Sequence, residues 1–124
     1  MKKIKFLLSL LLVFTALTYN AAYAQNNKDL VVLVKYKSQY GKDSLALSTL
    51  KILVEKVKKE PYYVNIIIHS DPVDKSNILL YEQWSSGEYY KGDHMNTSYL
   101  QQFINDSRSF LAGPPEITFW KIEN

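Results

Sequence analysis

The sequence contains no cysteine, which excludes disulfide bonds, thiolate metal sites and the lipid-modified cysteine of a bacterial lipoprotein. It also has no glycine-rich phosphate-binding loop and no serine or cysteine nucleophile motif. The 124 residues are 47% hydrophobic and 22% charged, which is the composition of one packed globular domain.

No hydrophobic run is long enough to span a bilayer, because the longest has roughly 12 apolar residues and a spanning helix needs ~20. This run covers Phe6–Val13 and continues weakly to Leu17, after three lysines and before small residues at positions 22 and 24. The pattern predicts a secretory signal peptide, residues 1–24, cleaved after Ala24. We therefore expect a periplasmic or secreted product with no membrane anchor after cleavage, whose domain comprises residues 25–124.

The mature chain has no excess of either charge. Residues 1–24 contain three of the 15 basic residues and none of the 12 acidic ones, so 12 of each sign remain. The pI of about 9.0 is a property of the precursor. No block of lysine or arginine indicates a nucleic-acid partner.

The remaining sequence alternates between strand and helix patterns. Period-two runs rich in β-branched and aromatic residues predict four strands, at Leu30–Lys37, Tyr62–His69, Asn77–Trp84 and Glu116–Ile122. Apolar residues spaced three and four apart predict helices from Asp43 or Ser44 to Glu60, and from Asn96 or Thr97 to the stop at Gly113-Pro114-Pro115, with a short helical turn at Glu88–Gly92. The second long helix is expected to present Leu100, Phe103, Ile104 and Leu111 on one face. The order β-α-β-β-α-β predicts an α+β, ferredoxin-like fold with an antiparallel sheet and helices on one face.

Both faces of the predicted sheet are apolar. Strand one presents Leu30, Val32, Val34 and Tyr36 on one face and Val31 and Leu33 on the other. Strand two presents Tyr62, Val64, Ile66 and Ile68 against Tyr63 and Ile67. Two helices cover one face only, so the second face is expected to meet the sheet of another subunit or a ligand, with a symmetric homodimer as the simplest arrangement.

The candidate chemistry lies on strand three and just after it. Glu82 shares a strand face with Ile78, Leu80 and Trp84, where burial would raise its pKa. A carboxylate next to an imidazole sets the tautomer of a histidine, and His94 is the obvious partner. In the alternative interpretation, Glu82 accepts backbone N–H groups, and His94 caps a helix or lies at the surface.

Aromatic residues surround this candidate pair in the sequence. Trp84 is expected in the core or in a pocket wall, with an N–H that needs a partner. Tyr89 and Tyr90 are expected to line or cover a cavity for a flat ring. His69 is separated from His94 by a whole hairpin, so no metal site is predicted.

From Leu30 to Ile122 the chain resembles the antibiotic biosynthesis monooxygenase family. The resemblance rests on the order and spacing of several motifs: Lys59-Glu60-Pro61, Leu79-Leu80-Tyr81-Glu82-Gln83-Trp84, Ser85, Glu88, His94, Ser98-Tyr99-Leu100, Phe103 and Gly113-Pro114-Pro115. Tyr62 stands where the family commonly has a glycine, so the entry to strand two is expected to differ.

The resemblance implies a dimeric α+β barrel with a hydrophobic pocket between each sheet and its helices. It further implies oxidation of a quinol or polyphenolic aromatic by O2 with no flavin, haem or metal cofactor. By this analogy His94 is the base or proton shuttle and Glu82 orients it. The substrate-binding wall is formed by Trp84, Tyr89, Tyr90 and Phe103.

Two alternative functions are compatible with parts of the same sequence pattern. The haem-degrading branch resembles the same fold but places an asparagine on strand one and a histidine on the later helix, whereas this chain has Val34-Lys35-Tyr36 and no histidine after Ser98. The other alternative is a non-catalytic exported module that binds a hydrophobic aromatic ligand in the same pocket.

Overall fold

The computed structural model describes residues 30–123, so the predicted signal peptide lies outside the described residues. This part of the chain forms four strands, three α-helices and one 3₁₀ turn. The strands are β1 (Leu30–Lys37), β2 (Tyr63–Ser70), β3 (Asn77–Trp84) and β4 (Glu116–Lys121). The helices are α1 (Asp43–Val57), α2 (Gly87–Lys91) and α3 (Ser98–Ser107), with the 3₁₀ turn at His94–Asn96.

The four strands form one antiparallel sheet in the order β2-β3-β1-β4. This is the predicted α+β, ferredoxin-like arrangement, with α1 and α3 packed against one face. The bounds of β1 and β3 agree with the prediction, because both strands have continuous alternating patterns. The sheet register places Glu82 opposite Val32 and Tyr36 opposite Ile78.

Helix α1 packs through one apolar face. Its buried residues recur every three or four positions, as an amphipathic helix requires: Ala46, Leu50, Leu53, Val54 and Val57. Asp43 is the first helical residue, and Lys42 occupies the N-cap position without a side-chain cap bond, so the predicted cap is wrong. The helix ends at Val57 instead of Glu60 because the chain tightens, with Glu60 N–H donating to Val57 C=O at 3.0 Å.

Helix α3 is shorter than its apolar pattern suggested. Leu100 and Phe103 are buried on its inner face, but Ile104 is 40% exposed. Leu111 lies beyond the helix, in an isolated bridge with Ser38. Leu111 reaches the core by this bridge instead of by helical periodicity.

Tyr62 has φ 66°, the left-handed conformation that glycine favours. Its carbonyl accepts a hydrogen bond from the Ser85 backbone N–H at 2.8 Å, and its ring lies 5.2 Å from the ring of Tyr89. The entry to β2 therefore has a backbone conformation suited to glycine, with tyrosine held in it by its neighbours.

A β-bulge between Tyr63 and Asn65 changes which residues of β2 share a face. Tyr63 pairs with Trp84 and packs against the core, whereas Val64 is 44% exposed. The predicted grouping of Tyr63 with Ile67 is therefore wrong, because the extra residue reverses the alternation at this point.

The sheet has one covered face and one open face. On the covered face the core includes Val32, Val34, Tyr36, Leu80 and Trp84. An apolar strip runs along the middle of the open face. It consists of Val31, Leu33, Ile67, Leu79, Tyr81 and Trp120. Ile67 is 45% exposed and Trp120 is 56% exposed. Within residues 30–123, no helix is both long and apolar enough to cross a membrane.

Candidate functional site

A cavity of about 530 Å³ lies between the covered face of the sheet and helices α1 and α3. Its walls are mostly aliphatic and aromatic, and its few polar groups include Glu82 on β3 and His94 in the 3₁₀ turn. This volume and this lining are typical of a small-molecule site. Of the two residues predicted as catalytic, Glu82 and His94 both line the cavity.

Glu82 is a buried carboxyl group, 4% exposed, on the covered face of β3. Burial, and to a lesser extent the nearby charge of Glu60, raise its pKa from the ordinary 4.5 to about 8, although the Tyr90 hydroxyl opposes the shift by donating a hydrogen bond to the ionised form. At neutral pH Glu82 is therefore mainly a neutral acid, which can donate a proton or a hydrogen bond into the cavity.

His94 does not pair with Glu82 as predicted. Its Nδ1 lies 2.9 Å from Glu60 Oε1 and 3.0 Å from Glu60 Oε2, and both side chains are buried. This pair forms because the turn at 58–60, which follows α1, places Glu60 next to the 3₁₀ turn that contains His94. Glu82 lies on β3 instead. Glu60 is thus the carboxylate that orients the imidazole.

The pairing with Glu60 fixes the tautomer of neutral His94. A carboxylate accepts the Nδ1 proton, so Nε2 carries the lone pair. Within residues 30–123, Nε2 makes no hydrogen bond, yet it is not among the buried polar atoms without a partner. Because His94 lines the cavity, we infer that Nε2 is the ring nitrogen available to a ligand there, from which it can accept a proton.

The Tyr89 hydroxyl further holds the Glu60 carboxylate. It donates to Glu60 Oε1 at 3.0 Å, and burial together with this bond raises the pKa of Tyr89 to about 12. The pKa of Tyr99 is raised as well, first by burial and then by the neighbouring Glu60. The Tyr89 phenol remains protonated and donates to Glu60, which keeps the carboxylate in place next to His94.

The four predicted ring-binding residues divide into two groups. Tyr90 and Phe103 line the cavity, and the Tyr90 ring stacks on His94 at 4.9 Å and 22°. Trp84 and Tyr89 are not among the residues that line the cavity. Trp84 is 1% exposed because α2 covers the end of β3, and Tyr89 turns away from the cavity towards Tyr62 and Glu60.

Trp84 instead packs against two residues that line the cavity, His94 and Tyr90. Its ring lies 4.7 Å from the His94 ring and 5.6 Å from the Tyr90 ring. Its Nε1 is buried without a hydrogen-bond partner in the described part of the chain, so the partner expected for this N–H is absent there. Trp84 thus fixes the imidazole through packing.

Glu60 is the functional residue that the sequence interpretation missed. It stands before Pro61, where the sequence predicts only the end of a helix, although Lys59-Glu60-Pro61 belongs to the motifs that carry the resemblance. No cluster of three or more potential metal-binding His, Cys, Asp or Glu residues exists within residues 30–123.

Comparison with known sequences gives a limited result. No family model matches the chain. An uncharacterized protein from Synechocystis sp. is 27% identical over 89 residues, which cover 72% of this chain and 58% of that protein. The chain therefore spans less than two thirds of this relative.

Solved structures give a more extensive match. A conserved protein from Methanosarcina mazei Go1 has a TM-score of 0.71 at 16% identity and covers 82% of this chain and 99% of its own. A Nitrosomonas europaea protein named "putative antibiotic biosynthesis monooxygenase" has a TM-score of 0.70 at 16% identity and covers 77% and 99%. A structure named antibiotic biosynthesis monooxygenase has a TM-score of 0.69 at 16% identity, with the same coverage. The chain thus has the α+β fold found in structures named antibiotic biosynthesis monooxygenase.

Proposed function

We propose that this protein is an exported monooxygenase that oxidises a quinol or polyphenolic aromatic with O2 and needs no flavin, haem or metal. The observation that carries the proposal is the buried Glu60–His94 pair, whose free imidazole nitrogen faces an apolar cavity. A base held in this way suits the removal of a phenolic proton, because it is preoriented and shielded from water.

The chemistry begins at His94 Nε2, which accepts the proton of a ring hydroxyl. The Glu60 carboxylate stabilises the resulting imidazolium, and the phenolate becomes electron-rich enough to reduce O2 directly. One oxygen atom enters the ring and the other leaves as water, so a quinol and O2 yield a hydroxyquinone and water. His94 is the catalytic base, and Glu60 is a positioning residue.

Glu82 has a different role from the one predicted. As a neutral acid lining the cavity, it donates a hydrogen bond to a second ring oxygen, where negative charge develops as the ring is oxidised. Tyr90 and Phe103 hold the ring against this acid. Two carboxyl groups thus serve opposite purposes, with Glu60 charged behind the base and Glu82 neutral beside the substrate.

The test is oxygen uptake by the purified protein with a panel of reduced naphthoquinols and polyphenols, corrected for autoxidation. We expect His94→Gln to lower the rate by about 10²–10⁴-fold, the usual contribution of a general base. His69→Gln is the matched control, because His69 is exposed on β2 and does not line the cavity. Ligand binding without oxygen uptake would instead favour a non-catalytic binding module.

We also propose that a second copy of the chain covers the open sheet face. The support is the apolar strip defined above, in which Ile67 and Trp120 are about half exposed. Light scattering after size-exclusion chromatography would give twice the monomer mass. Trp120→Lys should shift this mass towards the monomer, and a wild-type monomer would contradict the proposal.

The predicted export is part of the same proposal. Residues 1–24 combine lysines, a short apolar run and small residues before the expected cleavage site. Expression of the full chain and sequencing of the mature N-terminus should give Gln25 as the first residue. An uncleaved chain that stays in the cytoplasm would contradict it.

A further inference from the structure

The cavity carries a positive charge that the proposed reaction does not use. Its charged or titratable lining includes Glu82, His94 and Arg108. Arg108 immediately follows α3 and is exposed, so it lies where the cavity opens to solvent. Among residues 30–123, no ion pair or side-chain hydrogen bond involves its guanidinium group.

Arg108 lies far from Glu82 and His94 along the direction of the strands. Glu82 lies opposite Val32 on β1, whereas Arg108 lies beside Gln39, which follows β1 and whose Nε2 donates to the Arg108 carbonyl at 3.1 Å. Six residues of extended chain, from Val32 to Ser38, span roughly 20 Å. The cavity therefore has its neutral acid and base at one end and its cation at the other.

The end of α3 does not cancel this positive charge. Carbonyl groups at a helix C-terminus repel an anion when they are unpaired, but here they have donors. The Ser107 hydroxyl donates to the Ile104 carbonyl at 2.7 Å, and the Ser109 N–H donates to the Asp106 carbonyl at 3.0 Å. The N–H groups of Phe110 and Leu111 both donate to the Ser107 carbonyl, at 3.1 and 2.7 Å. The guanidinium remains as the group that can bind a ligand at this end.

We propose that Arg108 is a specificity-determining residue that binds an anionic substituent, so that the substrate is an elongated hydroxyaromatic carboxylate. Its hydroxyl end lies at His94 and Glu82, its rings lie between the apolar walls, and its carboxylate lies at Arg108. A planar guanidinium forms two parallel hydrogen bonds to a carboxylate. This inference rests on the proposed function for the orientation of the hydroxyl end.

The test compares two probes that differ only in the anionic group, 4-hydroxy-p-terphenyl and 4″-hydroxy-p-terphenyl-4-carboxylate, because three rings approach the roughly 20 Å between the two ends more closely than two rings would. Their affinities are measured by isothermal titration calorimetry. We expect the carboxylate to bind wild type about tenfold more tightly, as for a charge-assisted contact that retains some solvent. Arg108→Gln should abolish this difference without weakening the neutral probe, and Arg108→Lys should retain part of it.

Lys51→Gln is the matched control, because it removes the same charge from an exposed position on α1 that does not line the cavity. Equal affinity of the two probes for wild type, or an unchanged preference in Arg108→Gln, would overturn the proposal. Failure of both probes to bind would overturn it together with the cavity as a ligand site. If wild type prefers the carboxylate probe but consumes no oxygen with any quinol, the oxygenase function is refuted and the role of Arg108 in binding stands.

Discussion

The buried acid Glu82 makes a quantitative prediction about stability and pH. Its pKa is about 8 in the folded protein, against 4.5 when it is exposed. Between these two pH values the folded state holds a proton that the unfolded state has released. Stability must therefore fall as pH rises from 4.5 to 8, by up to 1.4 kcal/mol per pH unit and roughly 5 kcal/mol in total as an upper bound.

Glu82→Gln separates this effect from every other titration. Glutamine has the shape of the neutral acid and can still accept a hydrogen bond from Tyr90, but it cannot ionise. The variant should match wild type near pH 4.5 and exceed it increasingly up to pH 8. The carboxyls of Asp71 and Asp74 have lowered pKa values, so they titrate below this window.

The assay is urea unfolding of both proteins at pH 5, 6.5 and 8, with the free energy of unfolding obtained by linear extrapolation. Glu116→Gln serves as the control, because it removes an exposed carboxylate from the start of β4. Parallel dependences of the free energy on pH for wild type and Glu82→Gln would refute the conclusion that Glu82 is protonated in the folded protein.

Three further predictions concern other parts of the structure. Glu60→Gln should lower the pKa of Glu82, since it removes a neighbouring negative charge; carboxyl-carbon NMR measures this, and an unchanged value would contradict the assigned coupling. Tyr62→Asn should be about 1 kcal/mol more stable towards urea than Tyr62→Val, because both lose the ring but only asparagine tolerates positive φ; equal stabilities would refute the strain. Leu50→Ala should cost about 2–5 kcal/mol, whereas Leu45→Ala, at a 46% exposed position of the same helix, should cost much less.

The order of elements could be predicted because it depends on local patterns. In β3 each alternate residue from Ile78 to Trp84 is buried, and this period of two is visible in the sequence alone. Errors arose where a single residue altered the period. The bulge at Val64 reversed the faces of β2, and an inserted residue of this kind leaves no distinct mark in an apolar run.

The candidate site could be predicted only in part, because residues that are in contact there lie far apart in the sequence. His94 was identified by type, but its partner Glu60 lies 34 residues earlier, and their contact depends on how the end of α1 folds over the 3₁₀ turn. The surroundings of Trp84 and Tyr89 likewise depend on α2, which packs Tyr89 and Tyr90 against the Trp84 ring and directs Tyr89 towards Glu60. Pleat alternation gives the face of a side chain, but it does not give its neighbours.

The packing of Trp84 against His94 provides an optical reporter. The chain has two tryptophans, at positions 84 and 120, so Trp120→Phe leaves a single indole, 4.7 Å from the imidazole. Indole emission is quenched by a neighbouring imidazolium and changes when the cavity behind that ring fills. Protonation of His94 and occupancy of the site can therefore be followed by fluorescence without a label and without knowledge of the natural ligand.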